Sequence, residues 1–167
     1  MEETWYKAHK CNAWKGRKLN SWIIKFFQVQ IIDSYRELDK VKGTIISLLP
    51  SILNRIINDD QYIKILSSYR AIVLGGEPAD KKLLLKCIKL KLNIFISYGM
   101  TETCSGIAGT SINQSNYNKY KYSPFKNVYI SVDNLQICIK SPTVMKKYYK
   151  SSSSMTSFTT GDLGDDP

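Results

Sequence analysis

Residues 70–103 read RAIVLGGEPADKKLLLKCIKLKLNIFISYGMTET, and they contain two short apolar segments. The first, residues 70–74, runs straight into a glycine-bearing segment at residues 75–78. The second, residues 94–96, runs into another glycine-bearing segment at residues 98–103. Between the two, leucine, cysteine and isoleucine recur at the spacing of one helix face, with lysines around them. This order predicts a strand, a helix and a second strand.

The same alternation extends toward the N-terminus. Residues 44–49 (TIISLL) are apolar and β-branched at their start, which predicts one more buried strand. Pro50 follows at once, well placed for the first turn of a helix. Strands that alternate with helices are typical of a parallel sheet with crossover helices, and therefore of an α/β fold. Ligands bind such sheets just past the carboxyl ends of the strands, where both glycine-bearing segments lie.

The period of the apolar residues changes downstream. Apolar and polar residues alternate in residues 128–132 and 135–139, and Asp133-Asn134 between them predicts the turn of an antiparallel hairpin. The pattern predicts four segments. They are an N-terminal segment without a clear period (1–43), an α/β core (44–110), a polar linker loop (111–126) and a small β-rich subdomain (127–167) with a serine-run loop at 151–154.

Length and composition indicate a globular protein. The 167 residues suffice for a domain with a real core, and 43% hydrophobic with 23% charged residues lies in the globular range. No apolar run approaches the roughly 20 residues that span a bilayer, and the acidic N-terminus is unlike a secretory signal or a transit peptide. We therefore expect a soluble protein. Its richness in residues with AT-rich codons favours a plastid stroma or a bacterial cytoplasm.

Charge and cysteine usage argue against two other classes of site. The net charge is +10, but the lysines are spread along the chain, so a solvated lysine surface is favoured over a nucleic-acid groove. The four cysteines (Cys11, Cys87, Cys104 and Cys138) are scattered without a C-x-x-C pair. A zinc site or a redox pair is therefore not expected.

The segment after the last predicted strand carries groups suited to a nucleotide. Gly99 permits a close approach of the backbone or a positive φ. The Thr101 hydroxyl can bind a phosphate oxygen, and Glu102 can hold the divalent cation that accompanies nucleotide phosphates. Tyr98 offers a flat face for a base. An ordinary helix start, with Thr101 as N-cap and an acid after it, explains the same residues equally well.

Three motifs in a fixed order favour the nucleotide site over an ordinary helix start. They are Leu74-Gly75-Gly76-Glu77-Pro78, Tyr98-Gly99-Met100-Thr101-Glu102-Thr103 and Thr160-Gly161-Asp162-Leu163-Gly164. Together they resemble the adenylate-forming superfamily of acyl-CoA synthetases, luciferases and peptide-synthetase adenylation domains. The resemblance covers about residues 44–162. It is greatest to the 2-succinylbenzoate–CoA ligases of menaquinone and phylloquinone synthesis, and it implies part of the large domain of the adenylate-forming fold.

The resemblance implies a role for each motif. Gly75, Gly76, Glu77 and Pro78 would line the adenine, Tyr98 would stack on it, and Gly99 and Met100 would line the same nucleotide site. Thr101 would bind the α-phosphate and Glu102 the magnesium ion, which makes these two the expected catalytic residues. Asp162 would accept hydrogen bonds from the ribose hydroxyls. The alternatives are a helix-start acid for Glu77 and a turn-capping acid for Asp162.

The reaction implied by the resemblance is an ATP-dependent acid–thiol ligation. A carboxylic acid, 2-succinylbenzoate by resemblance, attacks the α-phosphate of ATP and releases pyrophosphate, and the thiol of coenzyme A then displaces AMP. ATP or AMP, Mg²⁺ and coenzyme A as co-substrate are the expected ligands. A membrane or nucleic-acid partner is not expected.

Two parts of the family's machinery have no match in these residues. They are a Ser/Thr/Gly-rich phosphate loop and a small C-terminal domain that carries a lysine. We therefore expect little ligase activity from this chain alone. The alternatives are a decaying gene, a split enzyme in which a second chain supplies both parts, and a non-catalytic adenine-nucleotide-binding module. A further alternative is a ligase that acts on another aryl or acyl acid.

Overall fold

The computed structural model of the chain describes residues 34–40, 43–148 and 155–164. Most of the N-terminal segment, Cys11 and the expected serine loop at 151–154 lie outside these residues. The chain divides into two compact units. The α/β unit comprises Met1–Ile96 and Ser111–Tyr120, and the β unit comprises Ser97–Thr110 and Lys121–Pro167.

Helices alternate with strands in the first half, and strands dominate the second. In chain order the elements are a 3-10 helix (Tyr35–Lys40), β1 (Ile45–Leu48), α1 (Pro50–Ile56), α2 (Asp60–Ser67), β2 (Ala71–Leu74), α3 (Lys81–Lys89) and β3 (Ile94–Met100). They continue with a 3-10 turn (Thr101–Thr103), β4 (Ser105–Ser111), β5 (Ser123–Pro124), β6 (Tyr129–Asp133), β7 (Gln136–Lys140) and β8 (Ser157–Leu163). The strands form two sheets, in the orders β1-β2-β3-β4-β5 and β6-β7-β8.

The predicted parallel sheet is confirmed in the α/β unit. Strand β2 pairs in parallel with β1 and with β3, and Leu74 lies opposite both Leu48 and Ile96. All three of these side chains are buried in the core of this unit. Helices α1, α2 and α3 connect the strands and complete this core with buried residues such as Leu53, Leu66 and Leu84.

The helix boundaries follow from local chemistry. Pro50 is in the first turn of α1, as predicted, where its missing N–H is not needed. Helix α3 begins at Lys81. Asp80 is its N-cap, and the Asp80 carboxylate accepts a hydrogen bond from Lys82 N at 2.8 Å. The acid thus satisfies one of the amides that every helix start leaves free.

The β unit contains the predicted hairpin and one strand more. Strands β6 and β7 are antiparallel, with Asp133 opposite Gln136. The turn residues are therefore Asn134 and Leu135, at φ 48° and 66°, one position later than predicted. Positive φ at both central residues matches the twist of a two-residue hairpin. Strand β8 adds to β7 and carries the Thr160-Gly161-Asp162 motif.

The segment expected to be a linker, residues 111–126, contains ordered structure. It begins at the end of β4 and includes β5. Its residues Tyr117 and Tyr120 pack against the core of the α/β unit. The limits of the four predicted segments stay a prediction.

Within residues 34–40, 43–148 and 155–164, none of the helices has the length and apolar character needed to cross a membrane.

Candidate functional site

A hydrogen bond joins two of the sequence motifs in the β unit. The Tyr98 hydroxyl donates to Asp162 Oδ2 at 2.6 Å, across 64 residues of sequence. Tyr98 lies on β3 and Asp162 on β8. Tyr98 was expected in a loop after a strand of three residues, but β3 continues through Met100, so the Tyr98 side chain is held by sheet backbone.

The environment of Tyr98 favours its neutral form. Burial, together with the hydrogen bond and the negative charge of Asp162, raises the pKa of Tyr98, while a hydrogen bond with Thr160 acts in the opposite direction. The Tyr98 ring also contacts the Tyr122 ring, with centroids 5.6 Å apart and planes tilted by 42°. The phenol is therefore a protonated donor to Asp162 throughout the neutral pH range, on a ring supported by a second aromatic.

Asp162 is held locally as well. Its backbone N–H donates to the hydroxyl of Thr160 at 3.1 Å, and Thr160 is buried. Asp162 itself is exposed. An exposed carboxylate on an anchored strand can accept hydrogen bonds from the hydroxyls of a sugar. The turn-capping alternative does not describe this residue, because Asp162 lies within β8.

The backbone at Gly99, directly after Tyr98, lies unusually close to the backbone of Ser105 and Gly106. A Cβ at position 99 would overlap the backbone oxygen of Ser105 and lie 2.6 Å from Gly106 Cα. The small residue at this position is thus required by the protein's own packing. Cys104 and Ser105 both have positive φ, 57° and 103°, so the chain reverses sharply from β3 into β4.

Thr103 stabilises this reversal of the chain between β3 and β4 through hydrogen bonds. Its hydroxyl oxygen accepts from Met100 N at 3.1 Å and lies 3.0 Å from Met100 O and 2.9 Å from Ser105 O, either of which it can donate to. Thr103 is 1% exposed, so these bonds are sheltered from water. Thr101, which was considered as a helix N-cap, is instead an exposed residue of the short 3-10 turn whose N-cap is Met100.

Glu102 has contacts through its main chain and its side chain. Its carbonyl oxygen accepts from Met145 N at 2.7 Å. Its Oε1 accepts from the Tyr148 hydroxyl at 3.2 Å, and Tyr148 is about half exposed. The Glu102 carboxylate and the exposed Thr101 hydroxyl are oxygen ligands, the type that Mg²⁺ prefers.

The glycine-bearing motif 75–78 lies in the α/β unit, directly after β2. Gly76 has φ 81°, a conformation that favours glycine. Both carboxylate oxygens of Glu77 accept hydrogen bonds from Ser51, from its backbone N–H at 3.1 Å and from its hydroxyl at 3.2 Å. Ser51 is in the first turn of α1, whose N-cap residue, Leu49, makes no side-chain cap bond. Glu77 is thus a helix-start acid, which was one of the alternatives for this residue. It caps the start of α1, however, and not the start of α3.

The structure therefore joins Tyr98 with Asp162 and places Thr101 and Glu102 on the adjacent turn. Sequence reasoning missed Tyr122 and Tyr148, which contact Tyr98 and Glu102. Tyr148 ends the run at residues 139–148, whose resemblance to a further motif of the adenylate-forming superfamily is the signal that could have found it. Among the described residues, no group of three or more His, Cys, Asp or Glu side chains could hold a metal. A magnesium site here would rely on one carboxylate and on phosphate oxygens, which is common for Mg²⁺.

Comparison with known proteins fits this arrangement. The family model described as AMP-binding enzyme matches residues 25–149. The chain belongs to this family. A 2-succinylbenzoate–CoA ligase of Bacillus velezensis is 30% identical over 157 residues, which cover 84% of this chain and 31% of that protein. The chain thus spans about a third of the length of the curated relatives it matches.

Solved structures show the same similarity. The o-succinylbenzoate coenzyme A synthetase of Bacillus subtilis in complex with ATP and magnesium ion is 29% identical with a TM-score of 0.64, and covers 77% of this chain and 30% of that chain. The same enzyme in complex with the acyl-adenylate intermediate has a TM-score of 0.65 with the same identity and coverage. The predicted fold class, an α/β part of the adenylate-forming fold, is thereby confirmed.

Proposed function

We propose that the chain is the nucleotide-binding part of an ATP-dependent acid–thiol ligase that acts on 2-succinylbenzoate. The observation that carries the proposal is the hydrogen bond between Tyr98 and Asp162. It brings two motifs of an AMP-binding family onto neighbouring positions of one unit. Relatives with the name 2-succinylbenzoate–CoA ligase support the choice of acid.

Each residue of the site has a task in binding the nucleotide. The Tyr98 ring stacks on the adenine, a contact worth about 1–3 kcal/mol in base recognition. The Asp162 carboxylate accepts from the ribose hydroxyls, with the Tyr98 hydroxyl fixing its orientation. In the α/β unit, Glu77 holds the Gly75–Pro78 segment to the start of α1. Gly99 and Met100 shape the strand end next to the phosphates.

The chemistry takes place at the α-phosphate. The substrate carboxylate forms a bond to phosphorus, the bond to pyrophosphate breaks, and the thiol of coenzyme A then forms the thioester while AMP leaves. The Thr101 hydroxyl donates to an α-phosphate oxygen and thereby stabilises the charge that develops there. Glu102, with a carboxylate oxygen, would hold Mg²⁺. When bound, Mg²⁺ neutralises phosphate charge and polarises the phosphoryl oxygens.

Isothermal titration calorimetry of the purified chain with AMP tests the nucleotide site. We expect saturable 1:1 binding that falls at least about tenfold in Tyr98→Ala, because the stacking face is lost. Asp162→Asn should weaken binding of AMP more than binding of adenine, since only AMP carries the ribose. The matched control is Tyr129→Ala, a tyrosine of the same unit that is 70% exposed. Equal loss of AMP binding in Tyr129→Ala, or no binding by the unchanged chain, would overturn the proposal.

Pyrophosphate exchange and thioester formation test the choice of acid. We expect 2-succinylbenzoate to support exchange better than benzoate or a fatty acid once the chain is combined with protein that supplies a phosphate loop and a C-terminal lysine domain. Tight AMP binding without exchange under those conditions would favour a non-catalytic module. A role in phylloquinone synthesis in a plastid, in place of menaquinone synthesis in a bacterium, stays a prediction.

A further inference from the structure

We propose that Tyr148 is a positioning residue for Glu102, which it holds in the orientation that binds the magnesium ion of a nucleotide. This inference rests on the proposed function. Its starting observation is the 3.2 Å hydrogen bond from the Tyr148 hydroxyl to Glu102 Oε1. The two residues are 46 positions apart, so the contact depends on how the β unit folds.

The segment that leads to Tyr148 is anchored at positions 145 and 146. Met145 N donates to the carbonyl oxygen of Glu102 at 2.7 Å, and Met155 N donates to the carbonyl oxygen of Lys146 at 2.7 Å. Val144, just before them, is 5% exposed and belongs to the core of the β unit. The backbone near Tyr148 is therefore tied both to the turn that carries Glu102 and to the core.

The turn before this segment is held by hydrogen bonds as well. Val144 N donates to the carbonyl oxygen of Ser141, and the hydroxyls of Ser141 and Thr143 lie 2.8 Å apart. Ser141 is buried. The path from the core to the Tyr148 hydroxyl is thus short and well bonded, which is what a residue needs in order to orient another one.

A glutamate on an exposed turn loses side-chain entropy when it binds a metal. A hydroxyl that already restrains the carboxylate removes part of that cost. The Tyr148 bond occupies one lone pair of Oε1 and leaves Oε2 for the ion, since a carboxylate has about four acceptor positions. Hydrogen-bond donors behind metal-ligating carboxylates typically contribute a factor of 10–100 to metal affinity. Because this bond is long and exposed, we expect about fivefold to tenfold.

The test measures two quantities in the same chain. The first is the affinity for AMP without metal, and the second is the Mg²⁺ concentration that gives half-maximal binding of ATP. In Tyr148→Phe we expect the AMP affinity to stay within about twofold and the half-maximal Mg²⁺ concentration to rise about fivefold to tenfold. Tyr129→Phe, which removes an exposed hydroxyl elsewhere in the β unit, should change neither. Glu102→Gln should abolish the Mg²⁺ dependence.

The outcomes separate the two proposals. Normal AMP binding with an unchanged Mg²⁺ dependence in Tyr148→Phe would overturn the positioning role and leave the proposed function intact. A parallel loss of AMP and Mg²⁺–ATP binding in Tyr148→Phe would also overturn it, because that pattern marks a general structural effect. An unchanged chain that binds no AMP would remove the proposed function and this inference with it.

Discussion

Replacing Tyr98 by Phe removes one hydroxyl from the structure and keeps the aromatic ring. The lost contact is the hydrogen bond to Asp162 Oδ2, whose length of 2.6 Å lies in the range of bonds from a hydroxyl to an ionised carboxylate. Hydrogen bonds to charged groups contribute about 1.5–3 kcal/mol when sheltered. Asp162 is exposed, so water competes for its oxygens and salt screens its charge. We therefore expect a coupling free energy of about 1 kcal/mol.

A double-mutant cycle with Tyr98→Phe and Asp162→Asn measures this coupling directly. Unfolding in urea followed by circular dichroism gives the free energy of unfolding of the four proteins. Because the chain has two units, hydrogen exchange of the β8 amides provides a second, local readout. Tyr129→Phe combined with Asp162→Asn is the matched control, and its coupling should be zero within error. A coupling below about 0.3 kcal/mol for Tyr98 and Asp162 would refute the assignment of this bond as a stabilising contact.

Three further perturbations have defined outcomes. Glu77→Ala should lower the free energy of unfolding by about 1 kcal/mol. Glu77→Gln should lower it by about half of that, because glutamine keeps an acceptor for Ser51. Equal losses of unfolding free energy for the two variants in urea titrations would contradict the capping role. Gly99→Ala should lower the free energy of unfolding by about 3 kcal/mol, because the new methyl group overlaps Ser105 O. A melting temperature within about 2 °C of that of the unchanged chain would be inconsistent with this packing. Burial raises the pKa of the Cys87 thiol to about 12, so iodoacetamide at pH 8 should alkylate Cys87 only in denaturant, as peptide mass spectrometry can show. The raised pKa also means that the stability contribution of this thiol is complete below about pH 9 and falls as the pH rises toward 12; rapid alkylation of Cys87 in the folded chain would refute its burial.

The parallel part of the fold was predictable from local pattern. The strands at Ala71–Leu74 and Ile45–Leu48 are short apolar runs followed by a glycine or proline signal, and such runs have few alternatives to a buried strand. Pro50 marked the start of α1, because helix ends depend on the chemistry of one or two side chains.

The strands that escaped prediction lack this local signal. Strand β4 reads SGIAGTS and β8 reads SFTTGDL, both with glycine and small polar residues that favour turns in isolation. They become strands because neighbouring backbone offers hydrogen bonds, as β7 does for β8. The extension of β3 through Tyr98 and Met100 has the same cause, since sheet pairing overrides the turn tendency of Gly99.

The sequence by itself determined the membership of an AMP-binding family and the identity of the motif residues, because motif order and residue type are properties of the chain alone. It also determined the parallel sheet, through the period of its apolar residues. Only the tertiary structure decided the partners of the acids: Tyr98 for Asp162, Tyr148 for Glu102 and Ser51 for Glu77. These contacts join residues 26 to 64 positions apart, and a hydrogen bond over that separation depends on the path of the folded backbone. The sequence therefore specified which groups are present, and the fold specified which of them meet.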